Sequence, residues 1–587
     1  MKILLVNPPD VDATLFDWAT AKRGRANNYP AYGLGVLARH LLNNGFEVEI
    51  LNLNHELLKV VYQANSPIDY DLTWKAILTS TVTRFKPDLV GVTCLFSVTG
   101  KSLENVCKFL RTITEAKIAI GGVHVTHDVE AILKETQADM AFLNESEKAF
   151  IKYLKGEGLA QVIVRGETEF EKHLEKVLPT EEDLNVIPPF ELMDVEAHSI
   201  YGTLGSWYGF RYKDTRIGTA LSNRGCRAHC SFCNVRSFNG VGVRQRSIDS
   251  VLDELQLLKD RGVGHIIWLD DDLLMREERA IALFDGMVRR NLNMTWDATN
   301  GVIAASLREE VVAAAAASGC IGLALGIESG NAEILRSIKK PGTPRIFRRA
   351  ADVLKNYPQI NVRALLIIGF PGETMAQIQD TINLCEDMNL DWHNIAILQP
   401  WKNTPIYDAM VDQGLLGEEG KLKGDVSPYQ LGPYSRQRAV EQGKIQQSHY
   451  GEKKGGEGLV DWSDLKRIPS RQELDDIWFY MNVRMNFERL LRETRQVKLQ
   501  QQLTWLEYVL EKTAPDNAMI AYFYAYLQWK VLGEIDPYLV EMIAIRLNES
   551  SYWKEKFALF GLSLKDIIDY DFPKGRLKGT NYQWLNA

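Results

Sequence analysis

The stretch Ser222-Asn-Arg-Gly-Cys226-Arg-Ala-His-Cys230-Ser-Phe-Cys233 decides how the rest of the chain is read. Three cysteines stand at x3 and x2 spacing in a short glycine-containing loop, and the apolar run 217–221 leads into it as a strand. Thiolates are soft donors, and so tight a cluster is most simply a metal site. Three thiolates are one short of a closed tetrahedral zinc site or a four-cysteine iron–sulfur site, so one coordination position stays open for chemistry. His229 is available as a fourth ligand to a structural zinc, but no second Cys or His pair lies nearby to support that reading.

Downstream of the loop, short apolar runs alternate with longer helical patterns. Strands are predicted at 265–270, 294–299, 321–328, 362–369 and 394–399. With the strand before Cys226 they make six βα units, a partial TIM-type (β/α)6 barrel with functional groups at the carboxyl ends of its strands. Upstream, strands at 2–7, 46–51, 89–94 and 118–122 alternate with helices such as 30–42 and 103–114. That rhythm predicts a doubly wound, Rossmann-like parallel sheet that binds a ligand beyond its strand ends. No GxGxxG follows the first strand, and Gly33 and Gly35 fall inside a helix start, so a dinucleotide is poorly supported. Beyond the barrel, 414–458 is rich in Gly, Lys, Gln and Glu and reads as a loop. Helices are predicted at 471–492, 496–512, 517–532 and 538–548, with an aromatic stripe that includes Trp478, Trp505 and Tyr522.

The chain is therefore α/β, divided as 1–156 (sheet domain), 157–203 (linker), 204–412 (barrel) and 413–587 (mostly helical, shaping the substrate pocket). Hydrophobic content of 45% and charged content of 25% are those of an ordinary globular protein. A net charge of −8 supplies no field for nucleic acid or an anionic membrane. No apolar run approaches ~18 residues, and the first residues are too short in their apolar run for a signal peptide. Seven cysteines, three in one motif, point to a reducing cytoplasm, with Cys94, Cys107, Cys320 and Cys385 expected in the core.

CxxxCxxC with an aromatic before its last cysteine resembles the radical S-adenosylmethionine (SAM) superfamily. The resemblance implies a [4Fe–4S] cluster on Cys226, Cys230 and Cys233, with SAM chelating the fourth iron and Phe232 packing near adenine. Further elements come in the family's order. Within Asp270-Asp271-Asp272, Asp271 stands where an acid meets the methionine ammonium. Glu328-Ser329 resembles the ribose segment, Gly330 is expected to permit close approach, and Gly369-Phe-Pro-Gly resembles the adenine-side turn. Gln399 ends the sixth strand, and Thr404-Pro-Ile-Tyr407 resembles the segment after that strand in cobalamin-dependent members.

The N-terminal strand ends resemble the cobalamin-binding domain that precedes many radical SAM cores. The residues that carry this are Ser97, Thr99, Gly121, Gly122, His124, Thr126 and Glu145. The Asp-x-His-x-x-Gly loop of cobalamin mutases is absent, which implies cobalamin without a histidine on its lower face. The combined resemblance spans roughly residues 1–410. It implies a cobalamin-dependent radical SAM methyltransferase, carrying a methyl group from methylcobalamin to a carbon of a small-molecule or peptide substrate by way of a 5'-deoxyadenosyl radical. A monomer served by an external electron donor such as flavodoxin or ferredoxin is expected. Alternatives are a non-methylating rearrangement or cyclisation, methyl transfer without a substrate radical, a non-catalytic sensor, and a radical SAM enzyme whose first domain binds something other than cobalamin.

Overall fold

The computed structural model describes residues 1–166, 176–205, 215–416 and 462–577. Most of the expected loop 414–458 lies outside the described residues. The first sheet has six strands: β1 (Lys2–Asn7), β2 (Glu47–Asn52), β3 (Leu89–Thr93), β4 (Lys117–Gly121), β5 (Met140–Phe142) and β6 (Val162–Val164). Their order is β2-β1-β3-β4-β5-β6, all parallel except the antiparallel β5–β6 pair. On β1, Ile3 and Leu5 face one helical layer while Leu4 and Val6 face the other, so the strand is buried on both sides. β6 comes from the segment expected as linker. Its Ile163 and Val162 are fully buried against the two layers, which explains why 162–164 completes the sheet.

The second sheet is built from β7 (Arg216–Ala220), β10 (Val263–Trp268), β11 (Thr295–Val302), β12 (Cys320–Glu328), β13 (Asn361–Ile368) and β14 (Trp392–Ile397). Its order is β14-β13-β12-β11-β10-β7, all parallel. These are the six predicted strands, displaced by at most three residues at their ends. Between β7 and β10 lies an unpredicted antiparallel hairpin, β8 (Asn223–Cys226) and β9 (Gly242–Gln245). It begins in the cysteine motif itself.

The C-terminal helices follow the predicted pattern, at Arg471–Asn482, Gln496–Tyr508, Ala518–Leu532 and Pro537–Glu549, with two more at Ser551–Phe560 and Leu564–Ile568. One hydrophobic core runs unbroken from the barrel strands into these helices. Polar contacts reinforce it: Asn486 Nδ2 donates to His393 O (2.9 Å), and Lys498 Nζ pairs with Asp391 (2.7 Å). The C-terminal helices thus act as an extra wall of the barrel beside β13 and β14.

Candidate functional site

Three cysteines on one loop need that loop held still, and the acids after β10 do this. The Asp270 carboxylate accepts from Ser222 N (2.9 Å) and from the Ser222 hydroxyl. Asp272, 1% exposed, pairs with Arg227 Nε (3.0 Å), and its carbonyl accepts from Asn223 Nδ2 (3.1 Å). On the far side Ser231 N donates to Ile338 O (2.9 Å), and Ile406 N donates to Ser231 O (3.0 Å). Asp271 faces a large cavity, where it accepts from Asn239 Nδ2 (3.1 Å) and from the Gly225 backbone N–H inside the cysteine motif. Burial pushes its carboxyl up to about 6.

Cys226, Cys230 and Cys233 are half-buried thiols in no disulfide, whereas Cys94, Cys107, Cys320 and Cys385 are buried. Burial pushes Cys226 up to about 11 and Cys230 up to about 12, so loading a metal must displace protons. A tetrahedral zinc with ~2.3 Å bonds would draw its sulfurs to roughly 3.8 Å of one another. Among the described residues, the group that gathers three ligand atoms within 4.8 Å is His55, Glu56 and Asp194, not the cysteines. The wider thiolate set suits a cluster of several irons. Beside Cys233, Asn234 Oδ1 is buried without a hydrogen-bond partner, on a residue that lines the cavity.

Further predicted residues divide into two groups. Ser97, Thr99, Gly121, Gly122, His124, Glu145, Asp271 and Gln399 line one cavity of about 1820 Å³. Phe232, Glu328, Ser329, Gly369 and Thr126 lie outside its wall. Phe232 packs 6.2 Å from Phe370. Ser329 is fully buried, its hydroxyl 3.3 Å from that of Thr381. Gly330 makes its close approach to a helix: a Cβ there would lie 2.5 Å from Asp380 O. Gly369 N donates to Glu373 (2.6 Å). Thr126 Oγ1 donates to Gly122 O (3.0 Å) and accepts from Asn144 N (2.9 Å), which ties two strand-end loops together.

Sequence reasoning passed over two cations. Lys340 Nζ pairs with Glu328 (2.8 Å) beneath the cysteine loop. Burial lowers the Lys340 ammonium, but the Glu328 carboxylate, followed by Cys230, outweighs this and raises it. Arg224 bridges the two sheets, donating to Glu145 (2.8 Å) and Glu147 (2.6 Å). Its position inside the cysteine motif was the available signal. Nothing in the spacing pointed to Lys340.

The cavity is where the strand ends of both sheets face each other. Cys94, Phe96 and Gly122 contribute from the first sheet, and Leu269, Asp271 and Gln399 from the second. The exposed side chains of Leu95 and Phe96, 50% and 61% accessible, also line it, an apolar platform suited to a flat macrocycle. The chain matches the B12-binding domain over residues 23–154 and the radical SAM superfamily over residues 221–385.

The chain belongs to the cobalamin-dependent radical SAM enzymes. A [4Fe–4S] cluster, SAM and cobalamin are accordingly its cofactors. This radical SAM enzyme is 26% identical over 465 residues to the cytidylyl-2-hydroxyethylphosphonate methyltransferase of Streptomyces wedmorensis, covering 72% of this chain and 84% of that one. It is 25% identical over 341 residues to the anaerobic magnesium-protoporphyrin IX monomethyl ester cyclase of Rubrivivax gelatinosus, covering 57% and 60%. Its fold is that of the cobalamin-dependent SAM radical enzyme OxsB, at TM-score 0.53 and 16% identity, covering all of this chain and 82% of that one. Among the described residues no helix is long and apolar enough to cross a membrane.

Proposed function

We propose that this enzyme transfers a methyl group to a carbon centre of a small-molecule or peptide substrate. The observation that carries the reading is the 1820 Å³ cavity shared by the first-sheet strand ends, the barrel mouth and the C-terminal aromatic wall. Methyl transfer between bound groups needs them in contact, and one shared chamber brings their sites together. When bound, the cofactors supply the radical initiation and the methyl group.

The chain's residues do the positioning. Cys226, Cys230 and Cys233 hold the cluster. Asp271 is positioned to accept from the ammonium of SAM, with Gln399 and the buried Asn234 Oδ1 on the same wall. Glu328, turned to φ +65° and held by Lys340, keeps the ribose side of the pocket in place. Gly121, Gly122, Ser97 and Thr99 line the approach of the nucleotide tail of cobalamin. Trp478, Phe479, Trp505 and Met519 form an apolar wall for the substrate. Two π-helical turns, Val483–Phe487 and Val509–Thr513, bring Val483, Phe487, Val509 and Thr513 to that wall. Such turns commonly shape functional surfaces.

The reconstituted enzyme, given SAM labelled with deuterium in its methyl group and reduced cobalamin, is expected to form labelled methylcobalamin and S-adenosylhomocysteine. The cyclase relative favours a second reading, in which 5'-deoxyadenosine forms and cobalamin acquires no label. That result would replace methyl transfer with rearrangement or cyclisation.

A further inference from the structure

The substrate half of the large cavity lies between β13, β14 and the C-terminal helices, and strand alternation sorts its residues. On β14, Trp392 and Asn394 line the cavity and are half-buried, whereas the alternate residues His393 and Ile395 are buried. Register sets the tiers. Trp392 stands beside Arg363 on β13, and Asn394 beside Leu365, which in turn stands beside Gly326 on β12. A Cβ on Gly326 would lie 2.7 Å from Lys340 Nζ, the cation that pairs with Glu328 beneath the cysteine loop. Asn394 therefore shares a tier with that cation, two strands or about 10 Å away.

Most polar groups of this half are already engaged. Trp478 Nε1 donates to Ile395 O (2.8 Å). Asn482 Nδ2 donates to Trp478 O (2.9 Å), and Asn482 Oδ1 accepts from Asn486 Nδ2 (3.1 Å). Arg363 Nε donates to Asn361 Oδ1 (3.2 Å), and its guanidinium stacks over Trp505 (4.2 Å). Trp505 Nε1 lacks an acceptor but is sealed from solvent. Asn394 differs: among the described residues its amide forms no hydrogen bond, and it stands in the cavity wall. That amide carries one acceptor oxygen and two N–H donors, which in this wall are left to water or to a ligand. The rings around it are fixed. Trp392 meets Phe487 edge-on at 5.7 Å and Trp505 at 5.8 Å, and Trp478 is held by Ile395. Rigid rings accept a flat body at low ordering cost.

We propose that Asn394 determines substrate specificity, and that the substrate presents to it the edge of a planar neutral amide, a carbonyl oxygen beside an N–H, as in a lactam or heteroaromatic amide ring. Asn394 Nδ2 donates to the carbonyl and Oδ1 accepts from the N–H, while the ring lies against Trp392 and Trp478. A carboxylate or an ammonium would leave half of the Asn394 amide without its complement and would lose its own hydration among apolar rings. The inference rests on the methyl-transfer reading, because it names what that cavity takes.

The experiment measures dissociation constants of three probes for the holoenzyme by ligand-observed NMR: carbostyril, a bicyclic lactam; N-methylcarbostyril, which lacks the N–H; and quinoline, which lacks the N–H and the carbonyl. Wild type is expected to bind carbostyril at least about tenfold more tightly than either analogue. Asn394→Leu, with iron content and circular dichroism as in wild type, is expected to bring the three within about twofold of one another. Equal affinities in wild type would overturn the proposal. So would failure of carbostyril to bind, or a preference that survives in Asn394→Leu. The wild-type comparison stands without the variant. Labelling of methylcobalamin needs no bound substrate, so its failure would end the methyl-transfer reading and leave the probe affinities as they are. Either reading can thus fail alone.

Discussion

Each functional residue's environment separates it from its neighbours of the same type. Of seven cysteines, four are buried thiols and three sit half-buried on one braced loop. Cys226→Ala is expected to leave far-ultraviolet circular dichroism unchanged while bound iron falls well below the roughly four per chain of a full cluster. Iron retained at the wild-type level would remove Cys226 from the ligand set. Glu373 offers a pH test. It is 1% exposed, and its Oε2 accepts from Gly369 N (2.6 Å) and Phe370 N (3.3 Å) while Oε1 is buried without a partner. Burial raises its pKa from 4.5 to about 7, against the pull of those two bonds. The folded state therefore holds the proton more tightly than the unfolded chain. The stability so gained is complete below pH 4.5 and is lost as pH rises through about 7. Urea unfolding at pH 5 and pH 8 is expected to show wild type losing up to about 3 kcal/mol relative to Glu373→Gln. A gap between the two proteins that does not change with pH would contradict the assignment.

At the scale of elements, strand-end glycines and acids were visible as types, but their partners were not. Gly122 sits at φ +110°, and a Cβ there would lie 2.4 Å from Cys94 O, the carbonyl that also accepts from His124 N. Gly122→Ala must move the loop after β3 against the loop after β4. A cost of roughly 1–3 kcal/mol in chemical denaturation is expected, together with weaker retention of cobalamin, read as cobalt per chain after gel filtration. The three acids after β10 looked alike in sequence and act differently: Asp270 and Asp272 brace the cysteine loop, and Asp271 alone faces the cavity. Neighbouring residues leaving a strand end point in different directions, and only the packed backbone sets which one faces inward. Gly330 behaves in the same way, since its freedom is spent on the helix Met375–Met388 rather than on a ligand.

At the scale of the molecule, the two sheets must hold their strand ends face to face if one chamber is to serve both. Arg224, within the cysteine motif, pairs with Glu145 and Glu147 from the first sheet's side, and Arg244 also pairs with Glu145. Lys402 reaches Asp128 (2.6 Å) across the same junction. Arg224→Leu strands the buried carboxylate of Glu147, 6% exposed, while Arg244 still pairs with Glu145, and is expected to cost about 3–5 kcal/mol. Thermal unfolding should then split into two transitions. A single transition at the wild-type midpoint would show that the domains are held by other contacts. The C-terminal helices also belong to this scale. Sequence periodicity located four of them but could not show that they share a core with β13 and β14, because an aromatic stripe records that a face is buried and not what buries it.

The sequence by itself determined the elements and the chemistry of the loop. Its short apolar runs, alternating with helical patterns, placed the six barrel strands, and its x3 and x2 cysteine spacing selected a soft-metal site with an open position. These are local properties, written in neighbouring residues. Tertiary structure alone decided which acid faces the cavity, that Lys340 sits beneath the cysteines, that β6 completes the first sheet, and that two sheets and a helical wall enclose one volume. Those facts join residues far apart in the chain, through packing and buried charge that no local spacing encodes.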